Sequence, residues 1–510
     1  MKPRLLWPNS DLVAHDDVRA AAPAAWADLD LDLIVEAISA NDRPLKAIVT
    51  AVFAAPLSTG DVIRSRQAVL ADVADHLAMA QELHDIARDA MDAKRRSTSG
   101  FYGVYASSIL HGSVSVLKEL LDALRQTRTV ADRWITTASA DRVTQWLSEL
   151  RENLDDGYLN EVSTHLERLA DRGELSVTAR LGPMNQSIDL TLRARSGPPR
   201  RWWTRMLGYV PGKHTIRIAD RDEGGARALG ELRDKSINEV ANALAQSVDY
   251  LLGFFDLVRR ELAYYLAVAQ WSHASHDAGT PLCVPLFPKG KKGITAGGLI
   301  PLSVALRPPG TAVANAFDSS PAPLAIITGP NQGGKTTFLR ALGQAQWLAQ
   351  IGSPVPATSY ECDLFDGFFS HFKQAEDNEL KHGKFDEELL RWSRLIDELG
   401  KHSLVLSNES LSSTDAREAT ALAAILFDSL AAAGHHVVAV THLATLSEVV
   451  TSCHTDWQVE RGLDGQRGYR FDPNPPDKSS HARDIFNQVF GEAPIRPRAE
   501  RMPLASEINP

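Results

Sequence analysis

The eight residues GPNQGGKT, Gly329 to Thr336, constrain the fold of this chain more than any other stretch. They fit the pattern G-x-x-x-x-G-K-[ST], with an apolar run before them (LAIIT, Leu324 to Thr328) and a helix-forming run from Thr337. A glycine-rich turn between a strand and a helix lets backbone N–H groups close around an anion, and the positive end of the helix adds to the attraction. Such a turn sits at the end of a parallel strand, so the chain from about residue 324 is expected to form an α/β sheet. Two more short apolar runs, SLVLS and HVVAVT, each followed by helical texture, supply further buried strands.

In that context Gly329, Pro330, Asn331, Gln332, Gly333, Gly334, Lys335, Thr336 and Thr337 form a candidate phosphate-binding loop. Lys335 is expected to reach the β- and γ-phosphates of ATP, and Thr336 to bind Mg²⁺. The run SLVLSNES ends at the sheet edge where ligands of open α/β sheets bind. It places Asn408 and Glu409 there, with Glu409 the candidate that orients the attacking water. Asn408 stands where phosphate-loop proteins usually place the acid that helps hold magnesium; it keeps an oxygen that can hold a metal-bound water, an indirect contact, but without charge. VAVTHLATL brings Thr441 and His442 to the end of a third strand, where His442 is a candidate γ-phosphate sensor. A Glu at a strand end also serves as a plain helix cap, and a lone His is more often structural than catalytic. The phosphate loop is what favours the chemical roles.

From about Leu29 to residue 275 the texture is helical. Val69, Val73, Leu77, Ala80 and Leu83 recur at spacings of three and four, as do Val248, Leu252, Phe255, Val258, Leu262 and Leu266. Both stretches exceed the usual helix length, which points to long levers or a bundle. Alternating apolar and polar residues with Gly-Pro and Asn turns interrupt them near 174–218, where a β-hairpin insertion is expected. Its exit carries Arg193, Arg195, Arg200, Arg201 and Arg205 around Trp202 and Trp203, residue types that can hold a phosphate backbone or stack a base. The competing reading is a solvated loop with its tryptophans packed on a helix.

The fold class is therefore multidomain α plus α/β. Residues 1–28 form an N-terminal segment and 29–275 a helical core and lever domain; 276–323 make a Pro- and Gly-rich connector with short strands. Residues 324–493 are the P-loop domain and 494–510 a flexible tail.

Charge and cysteine usage bound the partners. A net charge of -10 argues against a general nucleic-acid coat, since phosphate neutralisation needs clustered Lys and Arg, though a local basic groove remains compatible with it. Cys283, Cys362 and Cys453 fit no metal or disulfide spacing and read as reduced thiols, consistent with a cytoplasmic protein. The first residues lack the apolar stretch of a signal peptide, and no uncharged apolar run approaches the roughly 20 residues of a membrane helix.

Taken together, these segments resemble the MutS family of ABC-type ATPases. IITGPNQGGKTTFLRALGQAQWLAQIGSPVPA is similar to the family's phosphate loop and following helix, SLVLSNESLSSTD to its Walker B strand and dimer-contact loop, and VTHLATL to its switch strand. PLSTGDVIRSRQAVL (Pro56 to Leu70) resembles the opening of the helical core, and FFDLVRRELAYYLAVAQ the lever returning to the ATPase. The resemblance implies a P-loop ATPase of the DNA mismatch repair type. It would hold ATP and Mg²⁺ between two subunits of a homodimer, act on DNA through its backbone and cooperate with other repair proteins.

Departures from the family pattern qualify this. The helical core begins within about 30 residues of the start of this sequence, so neither the family's N-terminal mismatch-recognition domain nor direct mismatch readout is expected here. The usual Asp-Glu pair is Asn408-Glu409. The Ser-x-Phe segment that completes the partner subunit's site corresponds to HGKFDEE, with Gly383 at the serine. These changes point to intact binding and slow hydrolysis. The alternative function is a nucleotide-gated scaffold that binds protein and not DNA; a P-loop kinase is disfavoured by the long helical domain.

Overall fold

The structure is a computed structural model that describes residues 2–8, 24–98, 106–170, 176–181, 187–193, 223–306, 312–330, 332–373, 383–461 and 467–476. The residues Arg195 to Arg205, Gly100 to Tyr105 and the tail from 494 lie outside the described residues. The chain divides into two compact units, one comprising Met1–Ala20, Val35–Ala274 and Ile351–Ser353, the other Ala21–Ile34, Ser275–Gln350 and Pro354–Pro510.

The first unit is helical. It contains α3 (Arg43–Phe53), α4 (Gly60–Asp75), α5 (Leu77–Thr98), α6 (Ala106–Trp134), α7 (Asp141–Asn153), α8 (Asp156–Ala170) and most of α9 (Glu223–Asp277). Helices α1 (Ala24–Asp28) and α2 (Leu31–Ser39) precede them in the chain. With 55 residues, α9 spans about 80 Å at the α-helical rise. Helix α5 packs along α6, which also meets α7 and α8. The three- and four-residue spacing read in the sequence buries Val69, Val73, Ala80 and Leu83 with Leu120, Val130, Trp134 and Trp146.

At the α4–α7 junction the carboxylate of Asp72, fully buried, accepts hydrogen bonds from Trp134 Nε1 at 2.9 Å, Ser139 N at 2.6 Å and Ala140 N at 2.7 Å. The N-cap residue of α7, Ala140, has no side chain to do this for its own helix. A second buried group fixes the N-terminal strand of chain. Glu261 accepts from Leu5 N at 2.5 Å, Tyr265 Oη donates to Leu5 O at 2.8 Å, and Arg66 Nε donates to Leu6 O at 2.8 Å. Between α8 and α9, β1 (Ser176–Leu181) pairs antiparallel with β2 (Ser187–Arg193), with an irregularity between Thr178 and Arg180.

The second unit is built on a six-stranded sheet containing β5 (Leu324–Thr328), β7 (Gly367–Phe372), β8 (Ser403–Asn408), β9 (His436–Val440), β10 (His454–Arg461) and β11 (Arg467–Asp472). Their order is β11-β10-β5-β9-β8-β7, parallel throughout except for the β10–β11 pair. Every residue of β5, β8 and β9 is buried, as parallel strands covered on both faces require. Helices α12 (Lys384–Glu398) and α13 (Ala416–Ala432) contribute Trp392, Ala419, Ala423 and Phe427 to a core with Leu324, Ile326, Val405, Val437 and Ala439. Helix α11 (Lys335–Gln350) is buried along most of its length, through Phe338, Leu339, Leu342 and Trp347. Short helices α10 (Leu302–Ala305) and α14 (Leu446–Val449) complete the unit. A separate antiparallel sheet, β4 (Asn315–Asp318), β3 (Ile294–Leu299) and β6 (Ser359–Cys362), forms from strands far apart in sequence. No described helix is long and apolar enough to cross a membrane.

Candidate nucleotide site

The strand order determines which candidate residues meet. Because β9 lies between β5 and β8, the loop after β5 and the residues after β8 emerge at one sheet edge, with Val440 opposite both Ile327 and Asn408. Two backbone hydrogen bonds continue the pairing beyond the strands: Glu409 N donates to Val440 O at 2.8 Å and Thr441 N to Ile327 O at 3.0 Å.

Glycine is required at two positions of the loop. Gly329 has φ 142, and a Cβ there would lie 2.8 Å from Val459 Cγ2 and 3.3 Å from Val459 N on β10. Gly334 has φ 87 and would press a Cβ to 3.1 Å from the Tyr469 ring. Pro330 and Gly333 close a turn through Gly333 N and Pro330 O at 3.2 Å, and Gln332 is exposed with φ 63. Asn331 lies outside the described residues. Lys335 is 4% exposed and donates to Gly329 O at 2.9 Å and Pro330 O at 3.0 Å. Burial lowers the affinity of its ammonium for the proton, while the nearby Glu409 carboxylate opposes that shift.

Thr336 and Thr337 open α11, half-buried. The Thr336 hydroxyl donates to Asn408 Oδ1 at 2.9 Å across the 72 residues that separate them in the chain. The donor set suits a magnesium triphosphate, since hydroxyl and amide oxygens are the hard ligands Mg²⁺ takes, and the start of a 16-residue helix with a lysine suits an anion. Glu409 is half-buried with φ 54, and Leu411 two residues on has φ 61, so this turn holds two non-glycine residues in the left-handed region. His442 is exposed, and no hydrogen bond ties it to the described residues. Gly383 is the N-cap of α12, with no side chain to cap the helix.

Behind the site lies a network that no motif marked. His371 on β7, 3% exposed, stacks on Trp392 at 4.4 Å between ring centres, and its Nδ1 lies 2.7 Å from Ser410 Oγ. Ser407 Oγ donates to Ser410 Oγ at 2.8 Å. Burial, helped by the Arg391 charge, pushes the imidazole down to about 3, so it is neutral near pH 7. The sequence signal was a polar residue on an apolar strand, which becomes informative only when β7 is known to pair with β8.

The loop after β5 and the residues after β8 thus meet at one edge of a parallel sheet, and comparison with known proteins gives the family of the chain. Residues 325–461 match the family model described as MutS domain V, and residues 58–274 match that of the MutS2 N-terminal domain. The chain belongs to the MutS family. It is 25% identical over 455 residues to the DNA mismatch repair protein MutS of Shouchella clausii, which covers 78% of this chain and 50% of that protein. Over 144 residues it is 34% identical to the probable DNA mismatch repair protein Msh6 of Drosophila melanogaster, covering 28% of this chain and 12% of the other. Over 122 residues it is 35% identical to the endonuclease MutS2 of Enterococcus faecalis, covering 24% of this chain and 16% of the other. The chain thus spans half or less of the length of these relatives.

Proposed function

We propose that this chain is a MutS-type ATPase that binds ATP with Mg²⁺, hydrolyses it slowly and uses the cycle to close a homodimeric clamp on DNA. The observation that carries this reading is the hydrogen bond from Thr336 to Asn408, which joins the phosphate loop to the end of β8 beside Glu409. The loop amides and the α11 N-terminus bind the phosphate oxygens, and Lys335 neutralises the outer phosphates. Thr336 would hold magnesium, and Asn408 would support it indirectly with its uncharged amide oxygen. Bound magnesium supplies charge neutralisation on the triphosphate oxygens. Glu409 orients and deprotonates the water whose oxygen bonds to the γ-phosphorus as the bridging P–O bond breaks, leaving ADP and phosphate. His442 senses the γ-phosphate, and Gly383 offers a backbone N–H to the partner subunit's nucleotide. ATP drives closure to the extent that it binds the closed dimer better than ADP does. DNA is gripped through its backbone.

The test is ATP binding, turnover and DNA retention measured together on the wild type and Lys335→Ala. The wild type is expected to bind ATP and to hold duplex or branched DNA in a salt-dependent way; Lys335→Ala should lose at least about tenfold in ATP affinity, given charge-assisted contacts of about 1.5–3 kcal/mol. No DNA retention at low salt, with or without ATP, would replace the clamp by the protein-binding scaffold. A second expectation concerns magnesium. Asn408→Asp keeps the acceptor for Thr336 and adds a charge, so the Mg²⁺ concentration that gives half-maximal turnover should fall about threefold or more. An unchanged magnesium titration would make the substitution silent.

A further inference from the structure

The turn that carries Glu409 stores backbone strain. Glu409 and Leu411 both have positive φ, 54 and 61, a conformation that is unfavourable for non-glycine residues and persists only where its surroundings impose it. Three contacts impose it here. Val440 O receives Glu409 N at the start, and the Ser407, Ser410 and His371 group holds the middle. At the end, Leu411 N donates to a carboxylate oxygen of Glu388, which reaches in from α12 and is itself 5% exposed. The Leu411 side chain is 1% exposed in the core beside Trp392, so the turn cannot relax by swinging Leu411 into solvent.

We infer that Glu388 is a positioning residue for hydrolysis: by accepting the Leu411 N–H it fixes the left-handed turn and so aims the Glu409 carboxylate. The inference rests on the reading of Glu409 as the group that orients water. Its consequence extends along α12. Glu388 stands on the second turn of a helix whose N-cap is Gly383, the residue that corresponds to the family's partner-facing serine. A displacement of the α12 N-terminus is therefore transmitted by one helical turn to the group that holds the Glu409 turn. Without the Glu388 acceptor, the buried Leu411 N–H has no compensation and the turn loses one of its three constraints.

What the role requires is reach and an acceptor oxygen, whereas a general electrostatic role would require charge. Glu388→Gln keeps the reach and the carbonyl oxygen and removes the charge; Glu388→Asp keeps the charge and withdraws the oxygen by one methylene. The experiment measures kcat and KM for ATP on the whole protein for the wild type and these two variants, with thermal melting in parallel. Expected are a Glu388→Gln kcat within about threefold of wild type and a Glu388→Asp kcat about tenfold or more lower, with KM for ATP within about twofold in both. The inference is overturned if Glu388→Asp turns over like wild type, if Glu388→Gln is the more damaged variant, or if KM rises in place of the fall in kcat. A wild type with no ATP turnover would instead remove the hydrolytic reading itself, and is told apart by that result alone.

Discussion

Glu409→Gln is expected to leave ATP bound but to lower turnover by at least about 100-fold, since removing a positioned general base typically costs 10²–10⁴ in rate. The substitution preserves size and the backbone hydrogen bond from residue 409 to Val440 O, so the sheet edge and the phosphate loop should be unaffected. It removes the negative charge that opposes the burial-driven loss of proton affinity at Lys335. ATP affinity should nevertheless hold or rise, because the triphosphate then meets one negative charge fewer at the sheet edge. Single-turnover hydrolysis and equilibrium nucleotide binding separate the two effects. Turnover equal to wild type would end the assignment of Glu409 as the water-orienting group, and a parallel loss of binding would recast it as a structural element of the loop.

The sequence made some features legible and left others hidden, for physical reasons. The mixture of helices with a mainly parallel sheet was readable because buried parallel strands are short continuous apolar runs, and LAIIT, SLVLS and HVVAV are all of that kind. The antiparallel sheet of β3, β4 and β6 was not, because its pairing joins Thr295 to Glu361 across an intervening phosphate loop and helix. Local pattern carries no information about such pairing. At the site, a turn from Gly329 to Thr337 between a buried strand and a helix was readable from the glycine spacing together with the apolar run before it and the helical run after it. Its meeting with Asn408 depends on β9 lying between β5 and β8, a matter of strand order. Glu388 and His371 were invisible for a different reason. Each acts on the turn after β8 from another element, and nothing in either residue's own neighbourhood signals that.

Asp72→Ala is expected to destabilise the helical unit by about 3–5 kcal/mol, the range for deleting one member of a buried charged network. One carboxylate here serves the Trp134 indole N–H and the two backbone N–H groups of Ser139 and Ala140, and stands 3.0 Å from His76 Nδ1. With Ala at 72 those buried donors lose their acceptor, and the turn into α7 loses its negative charge at the positive end of the helix. Asp72→Asn is nearly isosteric and discriminates the mechanism. Its single carbonyl oxygen can satisfy either the Trp134 indole or the turn before α7, while its amide N–H₂ faces the remaining donors. It should therefore recover no more than about half of the loss. Denaturation followed by Trp fluorescence would report the change, since Trp134 sits at the network and Trp146 lies on α7. Because the chain has two compact units, the prediction is specific in where the loss falls: the transition of the helical unit moves to lower denaturant, while nucleotide binding by the other unit is retained at concentrations below that transition. An Asp72→Ala protein as stable as wild type would mean that the turn before α7 finds another acceptor, and the junction would then owe its order to the packing of Trp134 and Trp146 alone.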